Sequence, residues 1–446
     1  MTSSHTSQHL RIVFDDRGVI ANAGLLLPTR LAQRLGLREL LDRHVKLGPS
    51  VGHARVGEKA LTLVASLLAG GDCIDDAAAL RSLGSEAVLG HRAAAPSTLG
   101  TFLRSFTWGH LKQLDHVSEL ALARAWQVGA GPHRQGLTLD FDSTICETYG
   151  AKKQGAQFTY AKVWGYQPFL AITAESGEVV HSRLRGGRAA PARGAGHFVG
   201  EALARVRRAG FAEPVVIRAD SGFFTEEVVR ASLRYAASFS ITARMYPRLN
   251  RCIGEIAPTA WQPIRNWVGG TAEVAEIAYT AFANTHHGQR ARPLVVRLIV
   301  RRVLPDFAQL SLPGLGYRYH AFITNRTGTA VALEADHRQH AIVENRIRDL
   351  KYGLGLNHLP SGRFAANAVW LALNVLAHNL LRWLDRLALA GSGWTAKTFR
   401  HRLLAVPGRL VRSGRQLWLR LPAQWPWRWQ FEGVLTRLGH SPPPPA

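Results

Sequence analysis

The chain has 446 residues, 46% hydrophobic and 19% charged, with 42 Gly and 21 Pro spread along it. This balance excludes wholesale disorder and fibrous repeats and leaves room for about two to four domains. Against 31 Asp+Glu stand 55 Lys+Arg, a net charge of +24; so large a basic excess fits a polyanionic partner, by default nucleic acid. Cys73, Cys146 and Cys252 form no CxxC pair, which excludes a disulfide framework and a cysteine zinc site. The opening MTSSHTSQHLRIVFDD has no apolar core followed by a cleavage site. The apolar stretches 60–71 and 364–384 are too short, or are interrupted by Asn367, Asn374, His378, Asn379 and Arg382, against about 20 apolar residues for a membrane span. A soluble, cytoplasmic protein with no membrane partner is expected.

Residues 1–130 read as a helical domain, with helices over 58–69, over IDDAAALRSLG, and from the Pro96-Ser97 start signal to about Trp126. Short helices joined by Gly-bearing turns permit a helix-turn-helix reading beside simple helical packing, and DNA binding or dimerisation is expected of this domain. From 136 the texture becomes strands. In LTLDFD, Leu137, Leu139 and Phe141 alternate with Thr138, Asp140 and Asp142, and PFLAITAESGEVVHSRL over 168–184 reads as an antiparallel hairpin. A helix at 196–209, a strand in EPVVIRADSGFF ending at Asp220, a helix at 224–235 and a strand at 238–244 follow.

Residues 246–316, with Gly and Pro turns and a strand-like PLVVRLIVRRV, break this rhythm and read as a β-rich insertion. The strand at 317–326, a helix from about Ala332 to Tyr352 and another at 364–386 resume it, so 131–245 and 317–390 form one α/β domain. The region 391–446 is basic and Trp/Arg-rich: between Arg386 and Phe431 there are nine Lys or Arg and no acid, with Trp394, Trp418, Trp425, Trp427 and Trp429 interleaved, and the chain closes on SPPPPA. That charge fits DNA phosphates.

Three carboxylates stand where a mixed sheet would present them: Asp142 on the first strand, Asp220 at the end of another, and Glu344 on a late helix. Singly, each residue fits a turn, cap or solvated face; together, hard oxygen donors from two strands and a helix can hold divalent ions for phosphoryl transfer. On the helix from about Ala332 to Tyr352, His337, His340, Glu344 and Lys351 are spaced by 3, 4 and 7 residues and share one face. Only 8 of the 55 basic residues are lysine, so a lysine at 351 suits a compact charge for phosphate. Asp140 and Asp142 point to the same face of their strand, and periodicity cannot choose between them.

The blocks LDFDST, KKQGAQFTYAKVWGYQP, RADSGFF and AIVENRIRDLKYGLG, in this order over roughly 130–390, resemble the bacterial insertion-sequence transposases of the DDE class, in the group with a Tyr-Arg-Glu-Lys signature. The resemblance implies an RNase H-like mixed sheet flanked by helices, two divalent ions (Mg2+ or Mn2+), and hydrolysis at element ends followed by 3′-hydroxyl strand transfer. It also implies terminal inverted repeats and target DNA as double-stranded partners, a homodimeric synaptic complex, and a place at the bacterial nucleoid. By position, the metal-binding catalytic triad is Asp142, Asp220 and Glu344. Asp142 takes precedence because it precedes Ser143-Thr144, and Asp140 is the secondary candidate.

Lys351 matches the signature's lysine, while His337 and His340 stand where Tyr and Arg are usual. With Arg348, these three residues are the expected DNA or phosphate contacts. The competing readings are a nuclease without strand transfer and a domesticated DNA-binding protein without catalysis; the intact Asp, Asp and Glu set speaks against the second.

Overall fold

The computed structural model describes residues 11–132, 135–283, 294–305 and 316–439; the first ten residues and the closing SPPPPA lie outside. Fifteen strands can be followed in it. β1 (Val19–Ile20) precedes a helical region, and β2 (Leu137–Ser143) opens the main sheet. Then come β3 (Cys146–Glu147), β4 (Gln157–Phe158), β5 (Trp164–Tyr166), β6 (Phe169–Thr173), β7 (Val179–Arg183), β8 (Val215–Ala219) and β9 (Ala237–Thr242). The remainder are β10 (Gln262–Pro263), β11 (Gly270–Ala281), β12 (Leu294–Pro305), β13 (Arg318–Thr324), β14 (Gly408–Ser413) and β15 (Gln416–Arg420).

Nine of them form one mixed sheet, in the order β10-β11-β12-β13-β9-β8-β2-β6-β7. In its β7-β6-β2-β8-β9 half, β2, β8 and β9 run parallel while β6 runs against both neighbours, which is the RNase H-like order. Parallel pairing requires crossovers. The helix Ala195–Arg208 lies on the path from β7 to β8, and Glu226–Arg234 on the path from β8 to β9. Each turns an apolar face inward: Phe198, Val199, Ala202, Leu203 and Val206 on the first, Val228, Val229 and Ala231 on the second.

The 246–316 region begins with the helix Pro247–Gly254, and its strands then extend this same sheet rather than folding apart from it. The pleat explains its long apolar run, because side chains alternate between two buried faces. Leu298 and Val300 enter the main core, whereas Ile299 packs with Ile264, Ala272, Val274, Phe322, Ala330 and Leu333 in a second cluster.

Residues 11–132 are helical, with Val56–Ala69, Pro96–Arg104 and Trp108–Ala125 as the main helices. The IDDAAALRSLG segment forms a 3-10 turn, Asp75–Leu80, in place of the expected longer helix. All three main helices pack against the helix Phe364–Ala388, which also lies on β7. By length and hydropathy that helix could cross a membrane, but it is the centre of the core, with Trp370, Leu380 and Trp383 each 1% exposed. Its Asn379 closes the edge of β7 by accepting from Val179 N at 2.8 Å and donating to Val179 O at 2.8 Å.

Buried Glu178 ties three units together by accepting from Trp126 Nε1 (3.1 Å), Trp383 Nε1 (2.6 Å) and Ser176 Oγ (3.2 Å). Burial pushes its carboxyl up to about 7. Glu178→Ala would leave two indole N–H groups without an acceptor, an expected loss of about 2–4 kcal/mol in urea unfolding. A loss under about 1 kcal/mol would mean that water replaces the carboxylate.

At the C-terminal end, β14 and β15 form a hairpin, and β1 pairs with β14 through Val19↔Arg409 and Ile20↔Gly408. The tryptophans expected to face DNA divide. Trp394, Trp425 and Trp427 pack beside Arg402, Phe399 and His401, whereas Trp418 and Trp429 are 40% and 72% exposed.

Candidate active site

β2 and β8 are adjacent and parallel, with Phe141 opposite Ala219 as their last paired residues. The next residue on each strand is an aspartate, so Asp142 and Asp220 emerge side by side at the carboxyl ends of the two strands, where open α/β sheets place their sites. Asp142 Oδ1 accepts from Ser143 N at 2.6 Å, and Asp220 Oδ1 accepts from Gly222 N at 3.0 Å as the cap of a short 3-10 turn.

Burial pushes the Asp142 carboxyl up to about 7, the neighbouring charges of Asp220 and Glu344 push the same way, and His340 opposes them. Burial also raises Asp220, again against His340. Two neighbouring oxygen-donor groups whose ionisation is opposed by burial suit a bound cation, so this donor set fits the divalent ions that the resemblance implies. Glu344 stands exposed at the rim.

Among the described residues the three carboxylates are not closed to single-ion spacing. The set whose ligand atoms all lie within 4.8 Å of one another is Asp72, Cys73 and Asp76, a surface turn in which Asp76 Oδ2 accepts from the Asp72 and Cys73 amides.

The 332–352 segment is not one helix. It runs as Ala330–Arg338, a 3-10 turn Gln339–Ala341, a second helix Ile342–Arg348 and a π turn Asp349–Gly353. The break removes the common face on which His337, His340, Glu344 and Lys351 were expected to meet. His337 turns into the sheet and is 4% exposed. It is stacked on Phe322 at 4.1 Å, with Nδ1 2.8 Å from Ser240 Oγ and Nε2 3.0 Å from Thr242 Oγ1. With both ring nitrogens engaged in the core, it offers none to a phosphate, contrary to the expectation from sequence.

Lys351 lies half-buried and donates to Ile145 O at 2.8 Å, just past the end of β2. Arg348 is exposed and donates to Asn345 Oδ1 at 2.7 Å.

His340 sits at the break with Nδ1 2.8 Å from Asp140 Oδ1. A carboxylate only accepts, so Nδ1 carries the hydrogen, and the ring lies near enough to Asp142 and Asp220 to act on both carboxyls. Asp140 is 2% exposed and is gripped bidentately by Arg218, Nε to Oδ1 and Nη2 to Oδ2, both at 2.9 Å. Arg218 Nη1 in turn donates to Asp336 O at 2.8 Å. Asp140 is thus spent on positioning. Arg218 went unassigned in the sequence, although a signal was present: an arginine in an apolar strand two residues before Asp220 shares its face.

A family model described as transposase DDE domain group 1 matches residues 2–443. No curated protein matches the chain. Among solved structures, a piggyBac transposase synaptic complex with hairpin DNA is similar at 11% identity and a TM-score of 0.45, covering 86% of this chain and 79% of that one. With the family matched over nearly its whole length, the chain belongs to the DDE transposases, DNA-cleaving and strand-transferring enzymes that work with divalent metal ions.

Proposed function

We propose that Asp142, Asp220 and Glu344 are the metal-binding triad of this transposase, and that it acts as a homodimer on the terminal inverted repeats of an insertion sequence, with two Mg2+ or Mn2+ ions. The observation that carries the reading is the emergence of Asp142 and Asp220 side by side from adjacent parallel strands. When bound, the ions supply charge for the attacking and leaving oxygens of an in-line displacement. In the hydrolytic step a water oxygen bonds to phosphorus and the bond to the 3′ oxygen breaks. The freed 3′-hydroxyl then attacks a phosphodiester of target DNA: its oxygen bonds to phosphorus, the target's own bond from phosphorus to its 3′ oxygen breaks, and that oxygen leaves as a new 3′-hydroxyl with the proton given up by the attacker. Incubating the purified protein with duplexes ending in the element's repeats and with a target plasmid tests the whole sequence. Nicked ends without joined products would reduce the reading to a nuclease.

His340 is proposed to meet the scissile phosphate. Because its Nδ1–H is committed to Asp140, any hydrogen bond from this ring to phosphate must be donated from Nε2. His340→Ala is expected to lower end cleavage by about 10- to 100-fold. His340→Arg, which keeps a positive donor beside Asp140, should recover part of the loss. Equal activity in the two variants would remove the phosphate role.

A further inference from the structure

Immediately after β2 the chain enters a small three-stranded sheet, β3-β5-β4, which carries the KKQGAQFTYAKVWGYQP block. We propose that this flap, residues 146–166, is a stacking platform for unpaired nucleotides of the DNA strand that passes the active site. The proposal rests on the reading of Asp142, Asp220 and Glu344 as the cleavage site.

The flap is braced. Lys153 Nζ donates to Leu359 O at 2.5 Å, Gln154 N to Gly362 O at 2.9 Å and Tyr166 Oη to Gln154 O at 2.9 Å, while Asn367 Nδ2 donates to Tyr166 Oη at 3.3 Å. On this rigid frame large aromatic side chains stand in solvent: Tyr149 is 89% exposed, Tyr160 69% and Phe158 63%, the last held edge-on to Trp164 at 5.2 Å. A cluster of exposed rings is a cost unless something covers it.

Across an open cleft of ≈ 500 Å³, lined by Thr148, Tyr149 and Lys153 on one side, Tyr352 is 71% exposed beside Lys351. Lys351 links the cleft to the site, since it donates to Ile145 O between Asp142 and the flap.

Charge selects the occupant. Lys152 and Lys162 are exposed, and three of the chain's eight lysines lie within 146–166 against a single acid, Glu147. Lys162 holds its place at the turn with φ +60°, a left-handed conformation usually left to glycine or asparagine. Cationic side chains interleaved with free aromatic faces match a nucleic acid strand, with phosphates on the lysines and bases on the rings. Paired bases hide their faces in the duplex stack, so rings that stand free fit nucleotides that are not paired. A transposase exposes such nucleotides where it opens a strand.

The test uses the full chain and two probes, a fully paired duplex and the same duplex with four unpaired nucleotides containing 2-aminopurine beside a nick. Tyr149→Ala/Tyr160→Ala is expected to bind the unpaired probe at least about tenfold more weakly and to lose 2-aminopurine quenching, with paired-duplex affinity unchanged. Tyr149→Phe/Tyr160→Phe keeps the rings and should bind both probes like the parent. Lys152→Ala/Lys162→Ala should weaken both probes equally and flatten the salt dependence. Equal loss on both probes in the alanine pair, or no loss on either, would overturn the platform. Failure of the active-site reading would appear separately, as cleavage by Asp142→Asn.

Discussion

Asp142→Asn, Asp220→Asn and Glu344→Gln are each expected to abolish metal-dependent cleavage while leaving DNA binding in place, because an amide keeps the size of the side chain and supplies no charge to the ions. For Asp142 the loss of activity should come with a gain in stability. Its carboxyl is raised from 3.8 to about 7, chiefly by burial. A raised carboxyl contributes stability in full below its unfolded value near 4, and that contribution is lost as pH rises through the folded value near 7. At pH 8 the metal-free parent therefore carries an opposed charge that the asparagine variant lacks.

Thermal unfolding without metal should show Asp142→Asn more stable by about 1–4 kcal/mol at pH 8, with the difference shrinking toward pH 4. Adding Mn2+ at pH 8 should raise the Tm of the parent and leave the variant nearly unmoved. A variant that still cuts, or a parent whose Tm ignores the metal, would sink the triad assignment.

The second large effect lies one layer behind. Read from sequence alone, Asp140→Asn should spare measurable activity. The geometry gives a harsher outcome, because Asp140 and Arg218 are only 3% and 4% exposed at their side chains and each is the other's main charge partner. Removing either leaves an uncompensated buried charge, so Asp140→Asn and Arg218→Met should each cost about 3–5 kcal/mol in denaturant unfolding. The double variant should cost much less than the sum of the two. Cleavage should fall in both single variants, because His340 loses its anchor directly in one and through Asp140 in the other. Additive losses would mean that Asp336, whose Oδ1 lies 3.5 Å from Arg218, is the partner that matters.

The contrast between Asp140 and Asp142 shows where sequence reading runs out. Alternation in LDFDST places both on one face, but only the neighbouring strand decides that one meets Arg218 and the other emerges beside Asp220. The strand and helix order was legible because each element carries its own period, in the hairpin at 168–184 and in the helices after β7 and β8. The fate of His337 was not. Helical spacing alone puts it with His340 and Glu344, whereas a 3-10 turn and the hydroxyls of Ser240 and Thr242, nearly a hundred residues earlier, draw it into the core. Likewise, an apolar run such as 294–303 does not announce that it will continue the main sheet, since two-sided burial looks the same in any layer.

The pairing of β1 with β14 bears on how the chain is made. Val19 finds its strand partner only at Arg409, 390 residues later, and Ala23 N donates to Val406 O at 2.9 Å. Gly24 lies so close to the backbone of Leu403 that a Cβ there would sit 1.7 Å from its carbonyl oxygen, so the fit leaves no slack. At about 5–20 residues per second of synthesis, the first helices wait roughly 20–80 s on the ribosome for the segment that completes them. During that interval the apolar faces of the N-terminal helices are exposed and the molecule is incomplete. A stop or frameshift upstream of Leu403 should therefore cripple the N-terminal helices, giving insoluble product rather than a catalytic fragment.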